Sequence, residues 1–182
     1  MKTKKNSDIF NATSSLKVLS CLADYPEKEF SGSELQKFTG ISRGGVYLVL
    51  SELKRQNLVS VVKRGKFLFY SLAYDEPLVK QFKVLRNVLF LHPLIARLKP
   101  SSRKIVLFGS HSRGENDSTS DIDLFVVSQD PQSANDVISS FKTKQKIQAV
   151  IKTAAELTGF KEKEQTFIQE VERGIVLWEK KE

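Results

Sequence analysis

The chain has 182 residues, 40% of them hydrophobic, enough for one ordinary domain or two small ones. Its formal charge of +8 is unevenly spread: residues 1–100 carry 17 Lys+Arg against 8 Asp+Glu, and residues 101–182 carry 12 against 13. The single cysteine, Cys21, excludes an internal disulfide, and no apolar run nears the roughly 20 residues that cross a bilayer.

The opening MKTKKNSDIFN is basic but lacks the apolar stretch of a signal peptide. A soluble cytoplasmic protein without a membrane partner is therefore expected. Leu16, Leu19, Leu22 and Ala23 recur at helical spacing until Pro26 ends the pattern, with Cys21 an inert thiol inside it. Ser31 and Glu34 have the spacing of a capping box. The short helix they open is expected to bury Leu35 and Phe38 and to stop at Gly40. Ser42 then caps a third helix, with Val46, Val49, Leu50 and Leu53 on one face and Asn57 as its stop. Two β-rich runs, 58–63 and 67–72, flank Arg64-Gly65-Lys66 and read as a hairpin.

Three helices followed by a basic-tipped hairpin resemble the winged helix-turn-helix domain of transcription regulators, over about residues 10–74. The resemblance implies binding of double-stranded DNA. Ser42, Arg43 and Tyr47 would meet the major groove from the recognition helix, and Lys63, Arg64 and Lys66 would meet phosphates or the minor groove.

Asp75-Glu76-Pro77 reads as the start of a helix. Leu78, Phe82, Leu85 and Leu89 form a seam along it, and Val84, Val88 and Leu91 a second stripe. So wide an apolar surface must pack between modules, against a second copy in a homodimer, or both. His92-Pro93 is expected to break this helix, with His92 a structural or surface residue. The sequence thus divides into residues 1–75, a connecting helix 76–100 and a second module 101–182.

In that module Lys104–Phe108 and Asp121–Val127 are apolar runs of the buried-strand type. Side chains two apart on a strand share a face, so Asp121 and Asp123 converge. Two carboxylates so close repel unless a cation lies between them, and Mg²⁺ or Mn²⁺ suits oxygen donors of this kind. The Gly109-Ser110 turn offers backbone amides and a hydroxyl to phosphate, with Arg113 adding positive charge. This chemistry points to metal-assisted handling of a nucleoside triphosphate.

Gly109-Ser110, ten intervening residues and Asp121-Ile-Asp123, with Arg113-Gly114 and Ser120, resemble the signature of the DNA polymerase beta-type nucleotidyltransferases, above all the minimal ones. The resemblance spans about residues 103–180. It implies triphosphate on Gly109 and Ser110, metal on the catalytic pair Asp121 and Asp123, and a third carboxylate on a later strand. That strand is read as Lys146–Lys152, which has no Asp or Glu; Gln148 or Val150 takes the position, and Glu156 beyond it is a weak substitute. His111 reads as a loop histidine, Glu115–Ser120 as a flexible gating loop, 161–173 as one helix, and Trp178 as packing on a final strand.

The fold class expected is α+β: a winged helix-turn-helix joined by a helix to a small mixed-sheet α/β domain. The function expected is a DNA-binding regulator whose second domain binds Mg-NTP. The alternative is an active nucleotidyltransferase acting on a nucleic-acid, protein or small-molecule acceptor, within a toxin–antitoxin pair or outside one.

Overall fold

The computed structural model describes residues 13–181, leaving out the side chains of residues 161–163, so the basic opening segment lies outside the described residues. The chain forms two compact units, Met1–Val79 and Lys80–Glu182.

In the first unit, α1 (Ser14–Asp24), α2 (Gly32–Thr39) and α3 (Arg43–Arg55) pack on one another. A sheet of β1 (Phe30–Ser31), β2 (Val59–Arg64) and β3 (Phe67–Leu72), in the order β1-β3-β2, completes the unit. The helix signals are local and hold. The Ser31 amide donates to Glu34 Oε2 at 2.8 Å while the Glu34 amide donates to Ser31 Oγ at 3.3 Å, closing the capping box. Ser42 Oγ accepts from the Gly45 amide at 3.2 Å, and Val46, Val49, Leu50 and Leu53 turn inward. Asn57, just past α3, adopts a left-handed φ of 59°. Arg64 pairs with Phe67, so Gly65 and Lys66 alone make the hairpin turn.

Phe38 departs from expectation. It is 57% exposed, resting edge-on against Phe30 (5.6 Å between centroids) and beside Tyr25 (6.0 Å). Phe30 already fills the interior, so Phe38 covers it from outside.

Helix α4 (Pro77–Leu98) runs unbroken through Pro93, contrary to the expected break. Leu91, Leu94, Ile95 and Leu98 are buried on both sides of the proline, whereas Pro93 itself is exposed. Burial of the residues on both sides outweighs the local penalty of the proline. The expected seam is not the buried one: Leu78, Leu85 and Leu89 are exposed, and Lys83 is buried.

The second unit is built on a sheet ordered β6-β5-β4-β7. Its strands are β4 (Ser102–Phe108), β5 (Ile122–Ser128), β6 (Ile147–Lys152) and β7 (Ile175–Glu179). β5 lies antiparallel to β4 and parallel to β6, and β7 is antiparallel to β4. One face of β5, with Ile122, Leu124 and Val126, packs under α4 and α6 (Pro131–Ser139). The other face, with Phe125 and Val127, packs under α7 (Ala154–Lys163) and α8 (Gln165–Glu172) through Leu157, Phe160, Phe167 and Val171. The single helix expected over 161–173 is thus two, divided at Glu164, which caps α7 and opens α8 at φ −115°. Trp178 packs as expected, half-buried against the first of these cores.

Candidate active site

Between β4 and β5 the chain makes one short helix, α5 (Gly109–Arg113), and then a loop. Phe108 and Asp123 are register partners, so the head of α5 and the head of β5 lie together at one end of the sheet. Gly109 adopts φ +67°, a left-handed conformation that side chains disfavour. A Cβ placed on it would stand 2.3 Å from Asp123 Oδ2. The bend and the second acid are therefore in van der Waals contact, and glycine is what the contact requires. Amides in the first turn of a helix lack acceptors within it and point outward, here from Gly109 and Ser110. Arg113 is less free than expected, with Nε 2.8 Å from Glu115 Oε2 and Nη1 3.4 Å from Glu170 Oε2. Its charge still reaches Asp123.

Asp121 precedes β5 and Asp123 lies within it. Burial above all, and then the Asp121 carboxylate, raise the Asp123 pKa above the usual carboxylate range, with Arg113 opposing both. Asp121 and Asp123 are thus close enough to repel each other, a strain that a shared cation relieves wherever one binds.

Gln148 stands level with Asp123 on the parallel strand β6, and its side-chain amide donates to Asp121 Oδ2. Of the two positions left open by the sequence, Gln148 is the one at the acids. Val150, level with Phe125, belongs to the hydrophobic core. Glu156 is removed from consideration. It completes a second capping box, accepting from the Thr153 amide at 2.8 Å, beyond the far end of β6.

The Glu115–Ser120 loop carries a dense set of hydrogen bonds. Asp117 Oδ1 accepts from the Thr119 amide (2.8 Å), Thr119 Oγ1 (2.8 Å) and Ser120 Oγ (2.9 Å), which hold its pKa down at about 2. Lys83 donates to the Asn116 carbonyl, and Asn87 Nδ2 reaches His111 O and Asn116 Oδ1, both at 2.9 Å. His111 is not a mobile loop residue: it is 2% exposed inside α5, its Nε2 3.4 Å from Gln145 Oε1. Burial lowers its pKa, partly offset by Gln145. Lys83, Asn87 and Gln145 escaped the sequence reading because each acts across more than 20 residues. The one available signal was a lysine and an asparagine four apart along an otherwise apolar helical stripe.

The expected DNA-contact residues all lie in the first unit. Arg43, Lys63, Arg64 and Lys66 are exposed, as is Ser42, whose hydroxyl oxygen caps α3. Tyr47 is exposed as well, and its ring lies where a Cβ on Gly32 would stand 3.0 Å from it. Arg64 Nη2 pairs with Glu29 Oε2 at 2.8 Å.

No curated protein matches the chain. A solved structure described as "a putative nucleotidyltransferase from Sulfolobus solfataricus" is 17% identical, covering 56% of this chain and 88% of that one, with a TM-score of 0.39. That score is too low to carry an argument. Residues 94–182 match the family model described as polymerase beta, nucleotidyltransferase. The match supports a polymerase beta-type nucleotidyltransferase domain in this half of the chain.

Proposed function

We propose that the protein is a DNA-binding regulator whose second unit binds a nucleoside triphosphate with one divalent cation and only inefficiently transfers its nucleoside monophosphate to an acceptor with release of pyrophosphate. The observation that carries this reading is the Gln148 amide donating to Asp121, level with Asp123, where an active relative would place its third carboxylate.

The donor set fits one hard ion. Asp121 and Asp123 share a face, and Mg²⁺ accepts two carboxylates while keeping water and phosphate oxygens in its remaining positions. Gln148, level with Asp123 on β6, brings no carboxylate for a second ion. When bound, the ion neutralises charge on the acids and on the phosphate oxygens facing them. The Gly109 and Ser110 amides and the Ser110 hydroxyl hold the triphosphate, and Arg113 adds positive charge to the same end of the sheet. Gln148 cannot accept a proton from an attacking hydroxyl at neutral pH, so the site lacks a general base on β6.

The order α1-β1-α2-α3-β2-β3 and the exposed Arg43, Lys63 and Lys66 support a winged helix-turn-helix reading of the first unit. A homodimer is supported by the exposed Leu78, Leu85, Leu89 and Phe90 of α4; sedimentation as a monomer at all concentrations would refute it.

The test of the nucleotide site is equilibrium binding of labelled ATP, CTP, GTP and UTP with Mg²⁺ or Mn²⁺, beside the Asp121→Asn/Asp123→Asn variant. Cation-dependent binding lost in the variant is expected, and equal affinity in both proteins refutes the assignment. Efficient transfer to an acceptor, abolished by the double substitution, would instead establish the active enzyme.

A further inference from the structure

At the opposite end of the same sheet, a pocket of about 240 Å³ is lined by Lys99, Ser102, Arg103, Gln129, Trp178 and Lys180, with Pro100 beside them. None of its lining residues is acidic. Three features of the fold create it. β4 begins with a bulge, where Ser102 pairs with Ser128 and Lys104 with Val127, so Arg103 is left out of the ladder and turned aside. The Lys180 amide donates to Arg103 O at 2.8 Å, fixing the end of β7 against that bulge. Lys99, just past α4, sets its ammonium 4.5 Å from the Trp178 ring centroid.

Three cations thus line a space that, among the described residues, has no carboxylate in its wall. The nearest acids along the chain are engaged elsewhere. Glu179 pairs with Lys104 at 2.8 Å, and Asp130 caps α6 by accepting from the Ser133 amide at 3.0 Å. Turned to face Arg103, the Gln129 amide oxygen accepts from its Nε and Nη2, both at 3.3 Å, which orients the guanidinium.

We infer that this pocket is a second ligand site, for a small phosphate-bearing anion. Arg103 offers a planar fork to two phosphate oxygens, and Lys99 and Lys180 supply point charges. The volume admits an inorganic phosphate or the phosphate end of a nucleotide. Ser102 and Phe108 are the two ends of β4, so at about 3.3 Å per residue the pocket and the candidate active site lie about 20 Å apart. One ligand therefore cannot fill both. Occupancy of the pocket ties the end of α4 to β4 and β7, and α4 also carries the Lys83 and Asn87 contacts to the loop beside the acids.

Trp178 is the protein's one tryptophan, so its emission reports this pocket directly. The full chain is titrated with inorganic phosphate, with adenosine 5′-monophosphate, and with sodium chloride at matched ionic strength. A saturable change in emission is expected with a phosphate compound and none with chloride. Saturation by phosphate alone identifies the free ion as ligand; saturation by the nucleotide only identifies a nucleotide. Arg103→Gln/Lys180→Gln, and separately Lys99→Gln, should weaken binding at least ~10-fold, with circular dichroism confirming the fold. Asp121→Asn/Asp123→Asn should leave it unchanged, which separates this site from the triphosphate site. Equal responses to phosphate and chloride, no saturation with either compound, or undiminished affinity in the folded Gln variants would overturn the inference.

Discussion

Replacing Gly109 with alanine probes the contact on which the candidate active site rests. Two effects follow from the geometry. The φ of +67° costs a residue with a side chain roughly 1–2 kcal/mol. The new methyl also meets Asp123 Oδ2 at 2.3 Å and Cγ at 3.2 Å. That obstacle is the end of a side chain, so the carboxylate swings away and the backbone stays. The stability loss is then about 1–3 kcal/mol, while the acid leaves its place opposite Asp121. For a unit of this size each kcal/mol lowers the unfolding midpoint by about 4–8 °C. Trp178 lies in the second unit, so its fluorescence follows that transition apart from the first unit's. Gly114→Ala is the control. At φ +69° its Cβ would lie 2.1 Å from the Lys80 carbonyl oxygen, which is backbone and cannot rotate aside. It should cost more stability than Gly109→Ala and leave the acids in place. Well below both midpoints, Gly109→Ala should lose cation-dependent nucleotide binding by at least ~10-fold, and folded Gly114→Ala should retain it. Wild-type affinity in Gly109→Ala would refute the account of the bend.

Restoring a carboxylate with Gln148→Glu should tighten Mn²⁺ binding by about 10-fold, measured by paramagnetic resonance, and raise nucleotidyl transfer above the parent. If neither changes, Gln148 does not hold the third position. Asp117→Asn removes a group whose pKa is depressed from 3.8 to about 2 in the folded protein. Because the folded pKa is the lower one, its stabilisation is complete above about pH 4 and vanishes as pH falls through about 2. The gap in unfolding midpoint between parent and variant should follow that window; a gap as wide at about pH 2 as at about pH 5 contradicts it. In the first unit, Arg43→Ala and Lys66→Ala should each weaken duplex binding and flatten its salt dependence by about one unit of slope. Arg64→Ala should do less, since Arg64 is already paired with Glu29. No binding to any duplex at low salt would remove the DNA role.

What the sequence determined about this protein is what can be read within about four residues. The Ser31–Glu34 capping box, the Ser42 cap, the buried stripe of α3 and the two-apart spacing of Asp121 and Asp123 are all of that kind, because helix caps and strand alternation are set by near neighbours. Thr153 and Glu156 carry the same signal of a capping box. α6 likewise begins at Asp130-Pro131, a cap followed by proline at the first turn, and was not among the expected elements.

What only the tertiary structure decided are the matters settled by partners distant in sequence. Pro93 stays in a helix because residues on either side of it are buried under a sheet. His111 and the loop at 115–120 are held by Lys83, Asn87 and Gln145. The choice of Gln148 over Val150 follows from the register of β6 on β5, and the cationic pocket exists only where the bulge of β4 meets the end of β7. Burial and register are sums over contacts from remote segments, so no local pattern encodes them.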